Sequence, residues 1–160
     1  MPFPEPQFSI FSRLFLLAGK YQRPVSIHCV RAYGHLTTFF QSMSEKDGPL
    51  PTKIMLHSYS GSKDTLRMLY KIPRIKDILY VSVSWVVSCR TKSHPEWIIS
   101  VPETRLLLES DHGNWELVDD DMHCVAQRVA EIRGWNMEEC YQRCLKNSEE
   151  FFQGYTLNNK

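Results

Sequence analysis

A chain of 160 residues with 42% hydrophobic and 12% aromatic side chains carries enough apolar surface for one packed core, which excludes extended disorder. A formal net charge of +1 excludes whole-molecule attraction to nucleic acid or anionic lipid, so any phosphate recognition must come from a local cluster. The five cysteines form no secreted framework and fit reduced thiols of an intracellular protein.

The amino end, Met1 to Gln7, is proline-rich and has no basic leader region, and residues 1–6 read as flexible. Arg13 interrupts the apolar stretch that follows, which falls short of the roughly 20 apolar residues of a membrane span. Phe8, Phe11, Phe15, Ala18 and Tyr21 recur at helical spacing and predict a helix over Gln7–Tyr21, stopped by Pro24. Val25–Val30 reads as a strand apolar enough to be buried on both faces. A helix over Tyr33–Met43 follows, then a loop at residues 44–51, and then a second strand, Lys53–His57. Ser58-Tyr-Ser-Gly-Ser62 turns into a helix from Lys63, with Ser62 as its N-cap.

Ile78–Val86, β-branched and alternating with serine and tyrosine, predicts a third strand, and Cys89–Ser100 a short helix or loop. Arg105–Glu109 is the fourth strand. The acidic loop Asp119–Asp121 precedes a helix over Met122–Arg133, whose dipole favours negative charge at its start. Gly134 ends that helix. Asn136 caps another, Met137–Lys146, with Glu139 in the capping-box position. Residues 154–160 read as a frayed tail. Cys140 and Cys144 share a helix face, as core thiols or, less in keeping with zinc spacings, as a metal pair.

The apolar runs begin near Val25, Ile54, Ile78 and Leu106, a rhythm close to the roughly 30 residues of a βαβ unit. That rhythm predicts a parallel sheet, with chemistry at the carboxyl ends of the strands, where His28, His57 and Asp111 fall. Two imidazoles and a carboxylate suit a divalent metal, whose bound water becomes acidic enough to hydrolyse a substrate. Alternatively, each histidine is a hydrogen-bonded core residue and the aspartate a helix cap. Four βα units make half of an eight-stranded barrel, so either the sheet is small and open or strands are missing.

The runs Pro24-Val-Ser-Ile-His-Cys-Val-Arg-Ala32, Leu56-His-Ser-Tyr-Ser-Gly-Ser62 and Val101-Pro-Glu-Thr-Arg-Leu-Leu-Leu-Glu-Ser-Asp111 resemble, in order, three motifs of the TatD family of metal-dependent deoxyribonucleases. Val129 to Glu139, with Asn147 and Phe151, is similar to that family's last helices. The Ser-Tyr-Ser-Gly-Ser variant and the Trp135 region look most like a fungal branch, some of whose members are described by what they bind.

The resemblance implies an α/β fold, a TIM-barrel (β/α)8-type metal-dependent hydrolase, present here as about its last four βα units over residues 1–160. It implies one or two divalent metal ions (Mg2+, Mn2+ or Zn2+) and cleavage of phosphodiesters in DNA or another phosphate ester. His28, His57 and Asp111 would be metal ligands, and Asp111 alternatively the catalytic base acting on the metal-bound water. The family's first-strand His-x-His pair and fourth-strand glutamate do not occur in this chain. Where the family has arginine two residues after the fifth-strand histidine, Val30 stands, followed by Arg31. Where it has Ala-Pro after the aspartate, His112-Gly113 stands.

Arg31, Lys63 and the backbone donors of Gly61–Lys63 are candidate phosphate contacts, although Lys63 also reads as a surface lysine. Trp85 and Trp115 could stack on a base, Trp85 alternatively packing in the core. Three functions follow: a metal-dependent hydrolase needing the rest of the barrel, lost from this chain or supplied by a second chain or protein partner; an inactive scaffold serving protein interaction; or a truncated gene product.

Overall fold

The computed structural model describes residues 5–89 and 96–153; the expectations for residues 1–4 and 154–160, and part of the Cys89–Ser100 segment, lie outside the described residues. Four strands, β1 (Val25–His28), β2 (Ile54–His57), β3 (Leu79–Ser84) and β4 (Leu106–Glu109), form one sheet in chain order, every neighbouring pair parallel. Helices α1 (Glu5–Lys20), α2 (Tyr33–Glu45), α3 (Lys63–Leu69), α4 (Val118–Arg133) and α5 (Met137–Phe152) alternate with or follow the strands. This is a partial TIM-type (β/α) barrel. Among the described residues, no helix is long and apolar enough to cross a membrane.

The register sorts the side chains by face, because successive strand residues point to opposite sides. Ile27, Ile54, Leu56, Leu79, Val81, Val83 and Leu106 join the main core under the helices. α1 completes that core through Phe11 and Phe15, whose rings meet Phe39 of α2 at 5.0 and 5.1 Å. Gly19 lets α1 lie on the following loop, since a Cβ there would collide with the Pro49 carbonyl.

The opposite face carries Ser26, His28, Met55, His57, Tyr80, Ser82, Ser84, Leu107 and Glu109. Its amino-terminal end is apolar and sealed by Phe151 of α5, which packs on Tyr80 and Leu107. Asn147, one turn earlier, donates from Nδ2 to the carbonyls of Glu103 (2.7 Å) and Leu106 (2.8 Å), tying α5 to the start of β4. The polar end of this face lies at the carboxyl ends of the strands.

Several expected boundaries move, each for a local reason. β1 stops at His28 rather than Val30, and it is buried on one face only: Ile27 is covered while Ser26 and His28 are exposed. As an edge strand with helices on a single side, β1 has no opposite wall to bury its other face. β3 stops at Ser84 rather than Val86, because Ser84 and Ser88 hydroxyls capture the backbone N–H groups of Val87 and Ser84 and the chain turns into one π-helical turn, Trp85–Cys89.

Within the expected helix-or-loop segment, Glu96–Ser100 is 3-10 helix. The acidic residues Asp119–Asp121 lie inside the first turn of α4 rather than in a loop before it, favourably for the helix dipole. α5 runs on to Phe152 because Asn147 and Phe151 bind the sheet.

The predicted caps hold. Ser62 Oγ accepts from Thr65 N (3.1 Å), Asn136 Oδ1 from Glu139 N (2.8 Å), and Gly134 ends α4 at φ +69°. The Glu139 carboxylate binds Arg143 in place of the capping-box contact. Cys140 and Cys144 are buried in the α4–α5 core, with Cys140 Sγ donating to the Ala126 carbonyl.

Candidate active site

His28 and His57 are register partners on adjacent strands, and their ring centroids lie 5.5 Å apart. β4 brings two carboxylates to the same end. Glu109 Oε2 is 2.7 Å from His57 Nδ1, and Asp111 Oδ1 is 3.2 Å from His57 Nε2. One imidazole thus sits between two carboxylates, and the structure brings together the predicted His57 and Asp111, with His28 beside them.

Backbone conformation aims these groups. Ser58 (φ +43°), directly beyond β2, and Asp111 (φ +52°), two residues beyond the end of β4, adopt the left-handed region. That conformation is uncommon for serine and persists where the surroundings fix it. At Ser58 they do: its N–H donates to Glu109 Oε1 (2.5 Å) and its hydroxyl lies 2.8 Å from both Glu109 Oε1 and Asp111 Oδ2. Ser82 of β3 adds its hydroxyl to Glu109 Oε1 at 2.5 Å. Glu109 is therefore the hub of the cluster.

Glu109 had no role in the sequence reading, although the signal was present. It stands two residues before Asp111 at the end of a strand, so a period of two turns it to the face that carries the histidines.

The remaining candidates are placed less centrally. Arg31 is exposed, in the left-handed region at φ +56°, three residues beyond His28; β1 has already ended, so no continuing strand sets its direction. Lys63 is the half-buried first residue of α3, which is only seven residues long. The loop before it is folded on itself: Ser60 N donates to Tyr33 Oη (3.2 Å) and Tyr59 Oη to the Ser62 carbonyl (2.8 Å). Burial raises the pKa of both tyrosines. Trp85 is half-buried, and Trp115 is 82% exposed. His28 also lines a cavity of about 270 Å³ between α1 and α2, with Phe8, Phe11, Ile27 and Leu36.

A hydrolytic zinc site takes three protein ligands and keeps a position for water. Among the described residues, no group of three or more histidine, cysteine, aspartate or glutamate side chains is arranged to hold a metal ion. The hydrogen bonds show where the ligand capacity has gone. His57 Nδ1 is spent on Glu109, and Glu109 Oε1 is surrounded by Ser58 and Ser82. His57 Nε2 and Asp111 Oδ1 face each other as a pair, not a trio. The residues of this chain do not by themselves make a metal centre.

A parallel βα sheet with a histidine–carboxylate cluster at its carboxyl ends is a piece of a (β/α) barrel. The family model described as TatD related DNase matches residues 2–153, and the chain belongs to that family. The Cut9-interacting protein scn1 of Schizosaccharomyces pombe is 27% identical over 173 aligned residues, covering 93% of this chain and 51% of that protein. An uncharacterized deoxyribonuclease of Saccharomyces cerevisiae is 34% identical over 109 residues, 66% of this chain and 34% of its own length.

Among solved structures, a TatD homologue of Escherichia coli superposes with a TM-score of 0.73 at 21% identity, over 92% of this chain and 56% of its own. A TatD family hydrolase of Entamoeba histolytica gives 0.72 at 14% identity, over 94% and 57%. These likenesses carry the fold. The chain spans about half the length of scn1 and of these structures, and about a third of the yeast deoxyribonuclease.

Proposed function

We propose that this chain is the carboxyl-terminal portion of a TatD-type, metal-dependent phosphodiester hydrolase of the deoxyribonuclease kind, supplying part of a site that a complete barrel finishes. The supporting observation is the convergence of His57, Glu109 and Asp111, with His28 alongside, at the carboxyl ends of adjacent parallel strands. In this reading His28, His57 and Asp111 are metal ligands, and Asp111 is alternatively the group that accepts the proton of the attacking water. Arg31 and Lys63 contact the substrate phosphates. A divalent ion held there in the complete barrel would supply positive charge to polarise the phosphate ester. Two yeast relatives favour a place in the fungal branch.

The test is a fusion of this chain to the complementary part of the Saccharomyces cerevisiae relative, assayed on DNA with Mg2+, Mn2+ or Zn2+. Cation-dependent cleavage lost in His57→Ala and Asp111→Asn is the expected result. A folded, metal-loaded fusion that does not cleave, or one indifferent to His57→Ala, overturns the reading.

A second reading, an interaction scaffold, is favoured by one relative's description as Cut9-interacting and by the internal saturation of Glu109. It expects calorimetric binding of a Cut9 counterpart that neither chelator nor His57→Ala alters.

A further inference from the structure

We infer that Glu109 is a positioning residue that fixes His57 in its Nδ1–H tautomer and presents the Nε2 lone pair to the mouth of the site, with Ser58 and Ser82 deciding which carboxylate oxygen does so. The argument is a count of protons.

Glu109 Oε1 is met by the Ser58 N–H at 2.5 Å, the Ser82 hydroxyl at 2.5 Å and the Ser58 hydroxyl at 2.8 Å. Such a gathering of donors suits an ionised carboxylate, which only accepts. Both hydroxyls have a second acceptor in reach, Asp111 Oδ2 for Ser58 and the Leu56 carbonyl for Ser82, at 2.8 and 3.2 Å. The Ser58 N–H, fixed by the backbone, meets Oε1 more closely than its second acceptor, the Ser82 oxygen at 3.0 Å. Oε1 is thereby committed to the serines, and Oε2 is left for His57.

Both ring nitrogens of His57 face a carboxylate oxygen, and the closer contact, 2.7 Å at Nδ1 against 3.2 Å at Nε2, places the single ring hydrogen on Nδ1. Which ring nitrogen carries the proton is set by the hydrogen bond the other makes. With one ring proton, Nε2 then offers a lone pair to Asp111 Oδ1 at 3.2 Å, two acceptors that only a proton or a cation can join. The cluster is built to receive positive charge at that point. Carboxylate partners that hold a histidine tautomer in this way are the general means of orienting an imidazole for ligation or proton transfer.

Only the use of this tautomer in hydrolysis rests on the function proposed above; the tautomer itself does not. The experiment is a long-range ¹H–¹⁵N correlation spectrum of the labelled metal-free chain, at a pH high enough that the ring carries one proton. His57 is assigned by comparison with His57→Gln. In the wild type, His57 should show a protonated Nδ1 and an unprotonated Nε2.

In Glu109→Gln the donors of Ser58 and Ser82 claim the amide oxygen, so the NH₂ group faces Nδ1, which must accept. The tautomer should invert to Nε2–H. Ser82→Ala, which keeps the carboxylate, should retain the wild-type pattern. A merely structural Glu109 would lower stability in Glu109→Gln without moving the ring proton. An Nε2–H wild type, or a folded Glu109→Gln that retains Nδ1–H, overturns the proposal, and the wild-type spectrum decides by itself if that variant does not fold. Loss of cleavage in the fusion with the Nδ1–H tautomer intact would instead count against the hydrolase reading alone.

Discussion

Cys89, at the end of the π-helical turn after β3, is 7% exposed, and burial pushes its thiol up to about 11. Burial likewise raises Tyr59 and Tyr70. A folded pKa above the unfolded one gives stability that is complete below the unfolded value, about 8.5 for a thiol, and is lost as pH rises towards the folded value. Urea midpoints should therefore fall between about pH 8.5 and 11, and Cys89→Ala should flatten that slope relative to its own value at pH 7. An unchanged slope in Cys89→Ala would remove the thiol from the account.

The same scale shows what a sequence conceals. His28, His57 and Asp111 were legible as strand-end residues because an apolar run followed by a polar ligand type is a local pattern. That His57 sits between Glu109 and Asp111 was not, since it depends on left-handed turns at Ser58 and Asp111 that no residue type demands.

At the scale of elements, local chemistry and tertiary contact divide the work. The caps were readable because a side chain and a nearby N–H suffice to make one: Ser62 with Thr65, Asn136 with Glu139. Asn136→Ala should destabilise the fold by about 1 kcal/mol, measured by urea unfolding, while Asn136→Ser should retain most of that stability. Equal loss in both would show that the hydrogen bond at the start of α5 is not the source.

The end of α5 was not readable, because Asn147 and Phe151 extend the helix by binding β4 and the inner face of the sheet. The burial of β1 was not readable for the opposite reason. Its composition suits a strand covered on both sides, and here only one side is covered.

Across the whole molecule, the exposed apolar surface has a pattern. Ile10, Leu14 and Leu17 of α1 and Tyr21 just beyond its end are 49 to 60% exposed, and the three on α1 fall in one stripe opposite the face that packs on α2. Beside them, β1 is an edge of the sheet, and β4 is the other. The parallel order and the placing of polar residues at the strand ends were legible from the roughly 30-residue rhythm, while whether the sheet closes was not, because closure depends on the number and stagger of the strands.

In the function proposed above, these residues hold part of a metal site and not a whole one. Calorimetric titration of the 160-residue chain with Mn2+ and Zn2+, beside the same chain carrying His57→Ala, tests it most directly. The account predicts no stoichiometric binding that distinguishes the two proteins, because among the described residues no group of three or more histidine, cysteine, aspartate or glutamate side chains is arranged to hold a metal ion. One-to-one binding in the wild type that disappears in His57→Ala would contradict it.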